Sequence, residues 1–181
     1  MPALAAFLRG INVGPHKRMK MDALRKLFAD LGFEDATTYL QSGNVVFQSA
    51  EPSSPKLVRQ IEEGIEQAFG FRSEVILRTA EQMREVVDAN PFAGRDGIEP
   101  SKLLVLFFAT PISAEEKRAV QQFYADPEEI AVRDSELYIY YPSGIGRSKL
   151  DGKLGKALKT SATGRNWNSV VNVLALMSKT A

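Results

Sequence analysis

The sequence predicts an α+β fold made of two βαββαβ-type halves, and three observations carry that prediction. Two runs, Ala3–Leu8 and Lys102–Ala109, are apolar on both faces and read as central strands, because only a strand covered on both sides can dispense with polar alternation. Each run opens a series of alternating strand and helix signals in the same order. Between the two series lies a stretch rich in glycine and proline, residues 90–101, the strongest boundary signal in the chain. The expected division is therefore 1–89, a linker 90–101, and 102–181.

In the first half, Leu24, Leu27, Phe28 and Leu31 recur at i, i+3, i+4 and i+7, one face of a helix that ends at Gly32. Thr37–Gln41 and Val45–Gln48 read as strands joined by a tight hairpin at Ser42-Gly43-Asn44. Ser53-Ser54-Pro55 starts a second helix with Ile61, Ile65, Ala68 and Phe69 as its buried stripe. Glu74–Arg78 then supplies a fourth strand, which completes a ferredoxin-like unit, and Ala80–Ala89 a short helix.

In the second half, Thr110-Pro-Ile-Ser113 caps a helix carrying Val120, Phe123 and Tyr124. Glu129–Arg133 and Glu136–Tyr141 form a hairpin around Asp134-Ser135, and a helix with Leu150, Leu154 and Leu158 follows. A last helix runs from about Trp167 to Met177. This half thus reads as the same ferredoxin-like unit with its final strand missing or replaced and its C-terminal helices modified.

Composition narrows the function classes. The 181 residues, 44% hydrophobic and 25% charged, suit a globular chain with a sizeable core, and no run reaches the roughly 18 apolar residues of a membrane span. Ala3–Leu8 is too short, and lacks the positive flank, for a signal peptide. There is no cysteine, which excludes disulfides and thiolate chemistry and fits a cytoplasmic location. His16 is the single histidine, so no ordinary zinc or haem site is expected, and no cofactor. No serine and carboxylate are placed around His16 for a triad, and acidic pairs such as Glu62-Glu63 and Glu115-Glu116 read as solvated surface. No complete catalytic constellation emerges, and neither turnover nor oligomeric state is legible.

The net charge of +1 hides an asymmetry. Residues 1–25 carry five bases and one acid, and residues 146–181 carry seven and one. The motifs that could carry function lie in the same two regions. Arg9, Gly10, Asn12 and Gly14 sit in a loop between a strand and a helix, where backbone amides and the helix dipole hold anions. The loop is not a P-loop: three residues separate its glycines and no Ser or Thr follows the lysine. Chain direction puts Gln41, Ser42 and Asn44 at the same end of the first sheet as this loop. Arg147, Ser148 and Lys149 also join a strand to a helix. Two cations at a helix start oppose its dipole, a conflict that an anion would resolve. This loop is expected at the opposite end of its own sheet. Arg165, Asn166 and Asn168 read as the start of the last helix, with Asn166 as its cap.

The chain resembles a bacterial family known as domain of unknown function 1697. The resemblance rests on FLRGINVG (Phe7–Gly14), LRKLFADLGFEDATTYLQSGNVVF (Leu24–Phe47), NPF (Asn90–Phe92), GRSKL (Gly146–Leu150) and TGRNWNSV (Thr163–Val170). It implies a repeated ferredoxin-like fold and places every candidate residue above, with Gly43 and Trp167, at family motif positions. It implies no reaction or ligand. Pro15 stands where members often carry a second glycine.

Three readings follow. The leading one is a site for an anionic, phosphorylated small molecule held by Arg9, Asn12, Arg147, Lys149 and Arg165 with glycine-loop amides. The second is nucleic-acid binding, since βαββαβ is also the RRM topology, although no strand carries the RNP1 pattern. The third is an oligomeric scaffold without a ligand.

Overall fold

A computed structural model describes residues 1–122 and 127–180. The chain divides into two compact units, Met1–Glu85 with Val171–Ala181, and Val86–Val170.

In the first unit the order is β1 (Ala3–Leu8), α1 (Met21–Asp30), β2 (Glu34–Tyr39), β3 (Asn44–Gln48), α2 (Pro55–Phe69) and β4 (Val75–Thr79), followed by α3 (Ala80–Asp88). The four strands form one antiparallel sheet in the order β2-β3-β1-β4. All six residues of β1 are buried, as its unbroken apolar run requires. α1 and α2 contribute Leu24, Leu27, Phe28, Leu57, Ile61 and Ile65 to the core beneath. There Phe28, Phe33 and Phe47 form a cluster with ring centroids 4.8–5.7 Å apart.

Ser54 caps α2 by accepting from the Leu57 amide at 3.2 Å, and Pro55 fills the first helical position, where no amide hydrogen is needed. Ala68 is exposed, not part of the buried stripe. Gly64 is buried instead, and a Cβ there would stand 3.1 Å from Leu31, so the α1–α2 approach uses the missing side chain. The β2–β3 connection is the four residues 40–43, with Asn44 inside β3 opposite Tyr39, longer than the tight hairpin that Ser-Gly-Asn suggests.

The second unit repeats the plan: β5 (Leu103–Phe108), α4 (Ala114–Gln121), β6 (Glu129–Val132), β7 (Glu136–Tyr140), α5 (Leu150–Ala157) and β8 (Ala162–Asn166). Its sheet order is β6-β7-β5-β8, the order of the first sheet element for element. The final strand is therefore present, and the expectation that it is missing or replaced is corrected. Residues 162–166 pair along β5, from Leu104 opposite Asn166 to Phe108 opposite Ala162. Thr-Gly-Arg-Asn has little strand propensity of its own, but β5 needs a neighbour on each edge, and that tertiary demand prevails. α6 (Trp167–Thr180) begins only after β8. Phe123 and Tyr124, expected beside Val120, lie outside the described residues.

α4 holds a second correction. Ser113 and Glu116 form a reciprocal capping box, and Glu116 is buried rather than solvated. Its carboxylate accepts from the Ser113 amide and hydroxyl at 2.9 and 3.0 Å. It also accepts from the Lys159 and Thr160 amides, both at 2.8 Å, and from the Thr160 hydroxyl at 3.1 Å. These donors hold its pKa down at about 2, the Ser113 and Thr160 amides most strongly. One carboxylate thereby ties the start of α4 to the segment that leads into β8.

Candidate anion-binding loops

The β1–α1 connection is built on four left-handed residues, Gly10, Asn12, Gly14 and Lys17, with φ between 52 and 67°. Asn12 suits such a φ because its short carboxamide can bond locally. Its Nδ2 donates to the Met19 carbonyl at 3.0 Å and the Gln41 carbonyl at 2.8 Å, while Oδ1 accepts from the Met19 amide at 2.8 Å. Asn12 thus pins its own loop to the β2–β3 hairpin and to the approach to α1. The Leu8 amide adds a bond to the Gly43 carbonyl at 2.8 Å. The two segments lie together at one end of the sheet, as chain direction requires.

The individual side chains fall into distinct groups. Asn44 is buried and donates to the Tyr39 carbonyl and the Ser42 hydroxyl at 2.8 and 3.0 Å, so it organises the hairpin from within. Gly43 combines a φ of +82° with a close approach: a Cβ would stand 2.8 Å from both Ile11 and Leu8. Arg9 reaches the other flank of the loop and pairs with Glu74 at 2.9 Å, while the Ser73 hydroxyl donates to the Arg9 carbonyl.

Two depressions flank the loop. One, of about 660 Å³, takes Arg9, Lys17, Arg59 and Arg72 together with Glu62, Glu63, Glu66 and Glu74. Its four cations face four carboxylates, and Arg72 is paired with Glu66 at 2.9 Å, so it has no net preference for an anion. The other, of about 620 Å³, opens at the start of α1 and is lined by Asn12, Arg18, Lys20, Asp22 and Gln41 with Met19 and Met21. Arg18 and Lys20 are exposed, and among the described residues neither has a carboxylate within ion-pairing distance. Asp22, the one carboxylate in the lining, pairs with Arg25. Among the described residues no side chain caps the first amides of α1. Arg18 and Lys20 are not among the residues the sequence singles out; two cations just ahead of a helix start are the signal that marks them.

The second unit places its candidates elsewhere. Arg147 ends a short 3-10 turn, Ile145–Arg147, that follows Gly144 at φ +87°. The Ser148 hydroxyl accepts from the Leu150 amide at 3.1 Å and so occupies part of the start of α5. Arg147 and Lys149 are both exposed. The Tyr141 amide donates to the Lys102 carbonyl at 2.9 Å, which fixes this loop beside the N-terminal end of β5, as expected. Asn166 reaches the same end, donating to the Ser101 carbonyl at 2.8 Å, and its Oδ1 accepts from the Asn168 amide at 3.0 Å.

Arg165 is buried within β8, opposite Val105, and donates to the Thr163 hydroxyl and Gly164 carbonyl, both at 2.8 Å. Burial brings its pKa down to about 10, which leaves it cationic near neutrality. Arg78 occupies the equivalent register in the first unit, opposite Ala5, and likewise donates to the carbonyl of the residue before it, at 2.9 Å. This correspondence between the halves is invisible without the pairing register. Among the described residues no group of three or more potential metal ligands forms, and no helix is long and apolar enough to cross a membrane.

The fold and loops together define a duplicated ferredoxin-like α+β protein. The chain belongs to the family described as protein of unknown function (DUF1697), whose match spans residues 1–138. Among solved structures it is similar to the conserved bacterial protein SP0830 from Streptococcus pneumoniae, with a TM-score of 0.80 at 22% identity, over 98% of this chain and 99% of that one. That likeness supports the fold alone. No curated protein matches the chain significantly.

Proposed function

We propose that the first unit binds a small phosphorylated anion in the hollow at the start of α1. The observation that carries the reading is the pair Arg18 and Lys20, exposed and without a carboxylate partner among the described residues, lining a hollow of about 620 Å³ beside helix amides that no side chain caps. Cations ahead of a helix start raise its already positive potential, and a bound phosphate relieves that cost while accepting from the free amides. Gln41 adds a carboxamide at the rim, and Asn12 positions both segments. Arg9 belongs to the opposite, charge-balanced flank, so on this reading it does not contact the ligand.

Any catalysis here rests on positioning and on charge stabilisation by Arg18 and Lys20. A phosphorylated ligand, with the absence of cysteine, also favours the cytoplasm as the protein's location. Calorimetry and thermal melting with inorganic phosphate, sugar phosphates and nucleotides provide the test. A member of the panel should raise the melting temperature and bind at least tenfold, about 1.4 kcal/mol, more weakly to Arg18→Ala/Lys20→Ala. Arg9→Ala should bind as the wild type does. Failure of the whole panel, or binding indifferent to the double substitution, removes the reading.

A further inference from the structure

A different surface carries a second, independent inference. α5 buries Leu150 and Leu154 in the core of the second unit. At 100° per residue, its outward arc is then occupied by Gly152, Gly155 and Lys156, with Lys149 just ahead of the helix on the same side as Lys156 and Lys153 at the edge of that side. The three lysines are exposed, and among the described residues none has a carboxylate within ion-pairing distance. Asp151, the one acid between residues 146 and 159, flanks this arc and accepts from the Tyr141 hydroxyl at 3.1 Å.

The glycines have no internal cause. Each costs a helix about 1 kcal/mol relative to alanine. Neither has a positive φ, and no described atom lies within 4 Å of where a Cβ would stand at Gly152 or Gly155. Backbone conformation and packing both leave room for a side chain. What a bare backbone beside a row of lysines does provide is a face of low relief, across which an extended polyanion can lie close to the helix while the lysines reach over it from one side.

We propose that this face of α5 binds the phosphodiester backbone of nucleic acid without reading its sequence. A convex helix face suits an extended chain of phosphates rather than an enclosed metabolite. An anionic lipid surface is disfavoured because the apolar side chains of α5 point inward and the outward arc offers none to insert. Lys149 to Lys156 spans about 10 Å, enough to meet a few phosphates given one duplex charge per roughly 1.7 Å of axis.

Fluorescence anisotropy with a labelled 20-base-pair random-sequence duplex, between 50 and 200 mM salt, is the test. The full chain should bind with Kd on the order of 10–100 µM and a log–log salt slope of about −3. Lys149→Glu/Lys153→Glu/Lys156→Glu should weaken binding at least tenfold. Gly152→Gln/Gly155→Gln, which favours the helix and leaves the charge alone, should weaken it severalfold. Arg18→Ala/Lys20→Ala, on the other unit, should change nothing and so separates this inference from the proposed function. Binding that survives the lysine reversals, or is indifferent to salt, overturns the proposal. Unaltered binding by the glutamine variant overturns the role of the glycines. Co-sedimentation with phosphatidylserine vesicles that matches the duplex affinity assigns the face to a membrane surface instead.

Discussion

Glu116 shows how much one side chain does in this protein. Five donors converge on its carboxylate, from Ser113, Lys159 and Thr160, and they favour its charged form. Its folded pKa of about 2 lies below the ordinary carboxylate value of 4.5, so the folded state gains from ionisation. That stability is fully present above pH 4.5 and is lost as the pH falls toward 2. Glu116→Gln should lower the stability of the second unit by about 2 kcal/mol at pH 7, because at least one amide donor loses its charged acceptor. Urea titrations at pH 7, 4 and 3 should show the wild type weakening over that range and the variant much less so. The Ser113–Glu116 spacing is itself a legible capping signal. The donors at 159 and 160 are not, because more than forty residues separate them from the carboxylate. Asn12 repeats the lesson: its φ and its bond to Gln41 arise from a meeting of two loops, and the hollow beside Arg18 and Lys20 exists only once they have met.

At the scale of elements, local pattern defines some of the fold and pairing defines the rest. Periodicity located α1, and unbroken apolar runs located β1 and β5. β8 escaped because Thr163-Gly-Arg-Asn166 resembles a helix start more than a strand, and its strand character comes from pairing with β5. Gly164 serves that pairing, since a Cβ would stand 3.2 Å from Leu106. The β2–β3 hairpin offers the sharpest test at this level. Gly43→Ala combines a strained φ with a collision against Ile11 and Leu8, and the Leu8 atom met is its Cβ, which cannot move away without the backbone. It should cost at least about 2 kcal/mol by thermal melting. It should also raise proteolytic cleavage within residues 9–20, since Gly43 anchors that loop through the Leu8 amide.

For the molecule as a whole, the two halves share strand order, the helix after the last strand, and the register of a buried arginine, Arg78 or Arg165. They differ in the connection after the first strand. It runs through residues 9–20 in the first unit but only 109–113 in the second, where Ser113 caps α4 at once. The proposed anion hollow is thus an elaboration of one copy of a common frame.

The composition of the first unit carries a consequence for how the protein is made. Residues 171–181 belong to it, with Val173 and Met177 fully buried and Gln48 bonded to the Thr180 carbonyl. A ribosome synthesises the bulk of this unit first, yet must add residues 86–170 before the segment that completes it. At typical elongation rates that interval is about 4–17 s. A chain ending after Val170 reproduces the interrupted state, and it should melt lower than the full chain and lose hydrogen-exchange protection in β1 and β3. During translation, therefore, the first half waits for the last turns of the helix that complete it, and is most exposed to chaperones and to misassembly while it waits.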